Sequence, residues 1–215
     1  MAFVAYRFLL ESKTDHLKEL IALFTRTAIE ICEGQQLDMD FESLPCISTG
    51  EYLNMIRLKT AVLLACALKS GALLGGISEN QADLLYEMGI NLGLAFQLQD
   101  DFLDTFGDEA SFGKKIGGDI LFNKKTFLLT EALQQADGAL KKSLEEWLVK
   151  VKYQKEDKVN EVKSIYEKLH LKEKTAIEIN AFYEKAIDLL YQVDAKPERK
   201  ALLSKQCELL IHRKN

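Results

Sequence analysis

The chain has 215 residues, 47% of them hydrophobic and 28% charged, which is the balance of a globular protein with a substantial core. Its formal net charge of -5 and pI of about 5.4 argue against a nucleic-acid binder, because no overall basic field would attract phosphate backbones. Four scattered cysteines and three dispersed histidines predict neither a disulfide framework nor a zinc site. With no bilayer-length apolar stretch and no convincing signal peptide, we expect a cytoplasmic protein without stable membrane insertion.

Apolar residues recur at helical spacing along most of the chain, and only two prolines interrupt it, which predicts an all-α fold. The first clear amphipathic stripe has apolar residues at positions 17, 20, 21, 24, 28 and 31. Gly34 predicts a break or kink in the helix that carries this stripe. Gly89 and Gly93, on a later helix, would let a neighbouring helix approach closely. Gln35 and Asp38 are candidates for lining a polar pocket, although a polar helix end is the alternative. From residue 137 onward the chain is more charged, and we predict peripheral helices there.

The helix that begins near Ser48 is predicted to be buried at the centre of the domain. Ser48 and Thr49, followed by Glu51, form a cap-like start, and the segment after them is almost wholly apolar. Lys59, with Thr60 beside it, stands at the edge of this apolar run, where a lysine is usually a snorkelling surface residue. It gains a functional interpretation only if it faces the same cavity as the acidic residues further along the chain.

The third long helix ends in FQLQDDFLD, residues 96–104, which carries three carboxylates in an otherwise apolar run. Gln97, Asp100 and Asp104 are spaced to project from one helix face, with Asp101 beside them. Because like charges this close together repel each other and resist burial, we expect a cation to neutralise them. Ligation by oxygen alone favours a hard cation such as Mg²⁺. A solvated acidic helix end is the alternative interpretation.

A glycine- and lysine-rich span, residues 107–126, follows the acidic helix and predicts a loop and then a helix start. Its glycines let the backbone approach a ligand closely, and its lysines would place ammonium groups on a diphosphate. These lysines are Lys114, Lys115, Lys124 and Lys125. A flexible surface turn is the alternative interpretation, in which Asp119 simply caps the next helix.

Taken together and in order, these motifs resemble the all-trans polyprenyl diphosphate synthases, the family of the farnesyl and geranylgeranyl diphosphate synthases. The matching segments are GQQLDMD (34–40), KTAVLL (59–64), FQLQDDFLD (96–104), GD (107–108), GK (113–114) and GGDILFNKKT (117–126). The closing ALLSKQCELLIHRKN also resembles the family's C-terminal helix. The resemblance implies one all-α domain over residues 1–215, a helical bundle of the isoprenoid synthase type with central apolar helices around a cavity, working as a homodimer.

The resemblance also implies roles for individual residues. The second aspartate-rich motif, which binds Mg²⁺, is matched by Asp100, Asp101 and Asp104. The candidates for catalysis are Lys59, Gln97 and Lys124. Substrate binding is assigned to these three and to Thr60, Lys114, Gln35 and Asp38. Because GKKIGGD carries one residue more than the family's usual spacing, Lys115 is an alternative to Lys114.

The family's reaction condenses isopentenyl diphosphate with an allylic prenyl diphosphate in isoprenoid biosynthesis. Mg²⁺ and lysines stabilise the departing diphosphate, the double bond of isopentenyl diphosphate attacks the resulting carbocation, and a proton is lost. Apolar helix walls exclude the water that would quench the cation.

The family's first aspartate-rich motif, with the arginines that follow it, is not matched in this sequence. The opening MAFVAYRFLLESKTD resembles the helix that follows that motif, so we expect an N-terminal part to be missing and activity of this chain alone to be in doubt. Two alternatives remain. One is a non-catalytic subunit or degenerate paralogue that binds a partner synthase. The other is a structural helical interaction protein whose charged residues are solvated.

Overall fold

The computed structural model describes residues 2–107 and 116–211, and all regular elements within these two ranges are helical. The α-helices are α1 (Ala2–Glu11), α2 (Leu17–Glu42), α3 (Thr49–Ile56), α4 (Val62–Leu74), α5 (Glu79–Phe106), α6 (Gly118–Leu121), α7 (Phe127–Gln135), α8 (Gly138–Val149), α9 (Lys155–Lys168), α10 (Leu171–Gln192) and α11 (Pro197–Ile211). A π-helical turn, Arg57–Ala61, joins α3 to α4. The predicted all-α class is confirmed. No helix among these is long and apolar enough to cross a bilayer.

Helix α5 is the centre of the main core and packs against α4 on one side and α10 on the other. Two of its glycines set the distance to α4. A Cβ on Gly89 would lie 2.4 Å from the Cα of Ala65, and a Cβ on Gly93 would lie 2.5 Å from the Cα of Ala61. The predicted close approach at these glycines is therefore confirmed. It brings α5 into close contact with α4 and with Ala61 of the π-helical turn that also carries Lys59.

The predicted break at Gly34 is wrong, because α2 continues through it to Glu42. A Cβ at Gly34 would lie 2.4 Å from the backbone nitrogen of Lys59, so the missing side chain creates a crossing point with the π-helical turn. Here tertiary packing outweighs the low helix propensity of glycine. Asp38 lies one helical turn beyond this crossing and therefore lies beside Lys59.

The start of α3 agrees with the predicted cap. The Ser48 side chain accepts a hydrogen bond from the Glu51 backbone N–H at 3.2 Å, and the Glu51 carboxylate accepts one from the Ser48 N–H at 2.7 Å. This capping box fixes the first residue of the buried helix. Tyr52 and Ile56, which lie one helical turn apart, are buried in the main core.

The prediction of peripheral helices after residue 137 is wrong for α10. Ile179, Ala186 and Leu190 form a narrow buried stripe that packs α10 along α5 in the main core. The charged residues of α10 occupy its other faces, so composition alone hides the stripe. Helices α8 and α9 instead cover a second, smaller core with α7, which contains Leu144 and Val162.

Candidate functional site

The π-helical turn places two neighbouring side chains against two different helices. The Lys59 ammonium lies 2.5 Å from a carboxylate oxygen of Asp38 on α2. The Thr60 hydroxyl donates to the side-chain oxygen of Gln97 on α5 at 3.1 Å. A π-helical turn contains an additional residue, and such turns occur frequently at functional sites. The structure thus brings together four of the predicted site residues from three parts of the sequence.

Asp101 lies behind this group and is 2% exposed. The Tyr52 hydroxyl donates to one of its oxygens, and the Gln97 amide donates to the other at 3.1 Å. Burial raises the pKa of Asp101 to about 7, although the Tyr52 hydrogen bond and the charge of Lys124 oppose this shift. Burial and the Asp101 charge together raise the pKa of Tyr52 well above its usual value, so the tyrosine remains a donor.

The other two carboxylates of the acidic helix, Asp100 and Asp104, are half-buried. The Asp104 carboxylate accepts a hydrogen bond from the backbone N–H of Asp119 at 2.9 Å. The Asp104 backbone carbonyl accepts another from the N–H of Gly117 at 2.7 Å. These bonds fasten the start of α6 to α5. Of the predicted group, Gln97 pairs with Asp101, which lies one helical turn further along α5 and is buried against Tyr52 of α3.

Within residues 2–107 and 116–211, no three carboxylate, imidazole or thiol groups are already arranged around a metal position. Asp100 and Asp104 nevertheless suit Mg²⁺, which retains several waters and needs only one or two protein carboxylates when phosphate oxygens complete its shell. Asp101 adds negative charge directly behind them. The residues present therefore fit this cation in the presence of a diphosphate.

Lys124 faces the same carboxylates from the opposite side, with its ammonium 3.4 Å from Asp119. Burial favours the neutral amine, but the carboxylates of Asp101 and Asp119 outweigh it and raise the pKa of Lys124. Burial raises the pKa of Asp119, and Asp104 adds to this rise, while Lys124 opposes it. Lys124 is therefore a fixed positive charge among several carboxylates.

Two members of this network were not predicted from the sequence as site residues. Asp119 was expected only as a possible cap, but Gly117 occupies the cap position of α6 in a left-handed conformation, with φ of 86°, and Asp119 pairs with Lys124. Tyr52 lies in the almost wholly apolar segment after the predicted cap, and the sequence pattern does not single it out. Its position seven residues before Lys59 was an available signal, since a buried tyrosine hydroxyl usually requires a polar partner.

Two cavities open beside these residues. The first, of about 520 Å³, is polar and is lined by Asp38, Glu42, Asp119, Phe122, Asn123, Lys124 and Lys125. The second, of about 320 Å³, is almost wholly apolar and is lined by Thr60, Leu63, Leu64, Ala67, Gly93, Phe96 and Leu210. Gln35 is exposed and is not part of either lining. Lys114 and Lys115 lie outside the described residues.

Comparison with known proteins gives a consistent result. The family model described as polyprenyl synthetase matches residues 1–169. The short chain isoprenyl diphosphate synthase of Methanothermobacter thermautotrophicus is 43% identical over 123 residues, which are 57% of this chain and 38% of that protein.

Two solved structures extend the similarity to nearly the whole fold. A geranylgeranyl pyrophosphate synthase superposes with a TM-score of 0.91 at 41% identity, covering 99% of this chain and 66% of the other. A second structure is the geranylgeranyl pyrophosphate synthase of Corynebacterium glutamicum, complexed with isoprenyl diphosphate and magnesium. It gives a TM-score of 0.83 at 29% identity, covering 93% of this chain and 56% of the other. The chain thus spans less than two thirds of the length of each of these proteins.

Proposed function

The chain belongs to the polyprenyl synthetase family, and from this premise we propose that its site serves a prenyltransferase of isoprenoid biosynthesis. The reaction is the condensation of isopentenyl diphosphate with an allylic prenyl diphosphate. One observation carries the proposal: Lys124 faces the carboxylate of Asp101 on α5, and Lys59, from a distant part of the sequence, pairs with Asp38, whose carboxylate also acts on Lys124. Two ammonium groups and a row of carboxylates are the complement that a diphosphate and a hard cation require together.

The diphosphate takes the place of the carboxylate partners that the two lysines now have. Lys59 pairs with Asp38 and Lys124 with Asp119, each in a partly exposed ion pair that an anionic ligand can replace. Thr60 and Gln97, already hydrogen-bonded to each other, fix the position of the ligand beside Lys59. In this assignment Lys59, Gln97 and Lys124 stabilise the departing diphosphate as the allylic bond ionises.

Asp100 and Asp104, with Asp101 behind them, are the residues that would hold Mg²⁺. The bound cation supplies charge stabilisation for the departing diphosphate. Support for this assignment comes from the magnesium-bound relative and from the oxygen-rich helix end of this chain. The apolar cavity beside Thr60 suits the hydrocarbon part of the substrate, and its walls keep water away from the carbocation.

The proposal includes a homodimer in the cytoplasm, without nucleic acid and without stable membrane insertion, as the sequence and its resemblance predict. Phe8 on α1 and Ile29 and Met39 on α2 are apolar side chains that are more than half exposed and that a second copy would cover. The roles of Gln35 and Lys114 stay predictions from the resemblance.

Calorimetric titration with inorganic pyrophosphate, with and without Mg²⁺, tests the proposal. We expect Mg²⁺-dependent binding that weakens about 100-fold when Asp100 and Asp104 are both changed to Ala, because the cation then loses its protein ligands. The matched control changes Asp83 and Glu87 to Ala; these residues are exposed on the same helix at the same spacing and should have no effect. No binding by the unmodified chain would overturn the proposal and favour the structural interaction protein.

A second readout separates catalysis from binding alone. Formation of a longer prenyl diphosphate from isopentenyl diphosphate and dimethylallyl diphosphate, by a preparation that also binds pyrophosphate, would establish the prenyltransferase. Binding without product formation would instead favour the non-catalytic subunit, which then requires a partner synthase.

A further inference from the structure

Lys158 on α9 is a buried charge that the proposed site does not use. It is 1% exposed, and its ammonium contacts three neutral groups. It donates to the side-chain oxygen of Asn123 at 2.6 Å and to the carbonyl of Leu121 at 3.3 Å, and it lies 4.9 Å from the ring centre of Tyr153. A buried ammonium is costly, and an ordinary structural role would be filled as well by an apolar side chain.

The principal acceptor, Asn123, has an unusual backbone conformation. Its φ of 51° lies in the left-handed region, which residues other than glycine adopt rarely. Two contacts hold its side chain: the oxygen accepts from Lys158, and the amide donates to the carbonyl of Leu148 at 2.9 Å. The next residue is Lys124, so the conformation of Asn123 decides the direction in which the chain leaves α6 toward the site.

Helix α9 also supports the other end of the same segment. A Cβ at Gly117 would lie 2.7 Å from a methyl carbon of Val159, the residue after Lys158. The segment from Gly117 to Lys124 carries Asp119 and is closed by a hydrogen bond of 3.0 Å from the Lys124 N–H to the Asp119 carbonyl. Neighbouring residues of α9 therefore shape both the start and the end of this segment.

We propose that Lys158 is a positioning residue, which holds Asn123 in its left-handed conformation and thereby directs the Lys124 ammonium toward the diphosphate. The inference rests on the proposed function, because it gives Lys124 a ligand to hold. Lys158 itself is buried, and it is not among the described residues that line the polar cavity. We therefore expect its effect on the ligand to pass through the segment that ends at Lys124, and coupling between the two lysines tests this.

A double-mutant cycle tests this coupling, with affinity for pyrophosphate in the presence of Mg²⁺ as the readout. We expect Lys158→Met to weaken binding about tenfold, because the Asn123 and Leu121 oxygens lose their donor and the loop relaxes. In a Lys124→Ala background, Lys158→Met should cause no further loss. The control Lys155→Met removes the same charge from an exposed position on the same helix and should leave affinity unchanged.

Two results would overturn the inference while leaving the proposed function intact. One is unchanged affinity in a folded Lys158→Met protein. The other is a loss of pyrophosphate affinity in the double variant that equals the product of the two single-variant losses, which would mean that the two residues act independently. Failure of the unmodified chain to bind pyrophosphate would overturn the proposed function and the inference together.

If Lys158→Met does not fold, a pair of changes at Asn123 decides the question. Glycine adopts a left-handed backbone freely and alanine does not, so Asn123→Ala should weaken pyrophosphate binding more than Asn123→Gly does. Affinities for both variants equal to that of the unmodified chain would overturn the inference.

Discussion

Asp101 on α5 and Glu131 on α7 are both buried carboxylates, 2% and 6% exposed, but their surroundings differ. Asp101 receives hydrogen bonds from two neutral donors, Tyr52 and Gln97, and burial raises its pKa to about 7. Glu131 pairs with the ammonium of Lys174. Burial alone would raise the pKa of Glu131, but the hydrogen bonds from Lys174, Thr49 and Gln135 hold it below its usual value.

In the function proposed above, this difference distinguishes a structural carboxylate from one that supports a bound cation. Glu131 joins α3, α7 and α10, and its charge is balanced within the fold. The charge of Asp101 is incompletely balanced, which costs stability in the absence of a ligand and favours the binding of a cation beside it. Strongly shifted carboxylates of this second kind concentrate at functional sites.

The largest expected effect comes from removing the Asp101 charge. Asp101→Asn should weaken Mg²⁺-dependent pyrophosphate binding by up to about 100-fold, as losses of metal-supporting groups do. Because the change also removes a buried, unbalanced charge, the free energy of unfolding at pH 8 should fall by less than about 1 kcal/mol. Calorimetric titration and urea unfolding measure the two quantities. A large loss of stability with unchanged pyrophosphate binding would mean that Asp101 is a structural carboxylate and does not support ligand binding.

The corresponding change at Glu131 should lower stability and leave ligand binding unchanged. Glu131→Gln leaves Lys174 without its anionic partner and should lower the free energy of unfolding by about 2 kcal/mol, less than for a fully buried pair because Lys174 is partly exposed. Pyrophosphate affinity should not change. Glu184→Gln, an exposed position on α10, is the control and should alter neither quantity.

The stability that Glu131 supplies should depend on pH in a defined direction. Because the folded-state pKa of Glu131 is lowered from 4.5, the ionised pair stabilises the fold fully above that pH. The stability is lost as pH falls through the folded-state pKa. The difference in unfolding free energy between the unmodified chain and Glu131→Gln should therefore be constant from pH 6 to 8 and shrink under acid conditions. A difference that grows on acidification would contradict this.

The smallest effects are expected from removing one hydroxyl donor at each carboxylate. Thr49→Val removes the 2.6 Å hydrogen bond to Glu131 and should lower stability by about 1 kcal/mol without affecting ligand binding. Tyr52→Phe removes the donor to Asp101 and should weaken pyrophosphate binding a few-fold. Equal effects of the two changes on ligand binding would remove the distinction between the two regions.

The sequence predicts most of the elements that bring the site together. The capping box at Ser48 and the close approach at Gly89 and Gly93 are local patterns, and the structure confirms them. The convergence of Lys59 and the acidic helix was predicted only through the family resemblance. Helical spacing alone left a surface lysine and a solvated helix end as alternatives.

The remaining features depend on packing between distant segments, which local patterns do not encode. The π-helical turn that directs Lys59 and Thr60 to different helices has no recognisable residue signal. The burial of Asp101 and its second donor depend on where α3 places Tyr52. Lys158 lies in a strongly charged stretch, and its burial follows from the loop that covers it.

The proposed site can be examined in crystals grown with Mn²⁺ and pyrophosphate, since anomalous scattering identifies the cation that stands in for Mg²⁺. We expect Mn²⁺ bound to the carboxylates of Asp100 and Asp104, with the diphosphate between it and the ammonium groups of Lys59 and Lys124. A diphosphate bound away from the end of α5, or a cation that touches neither aspartate, would disprove the proposed site.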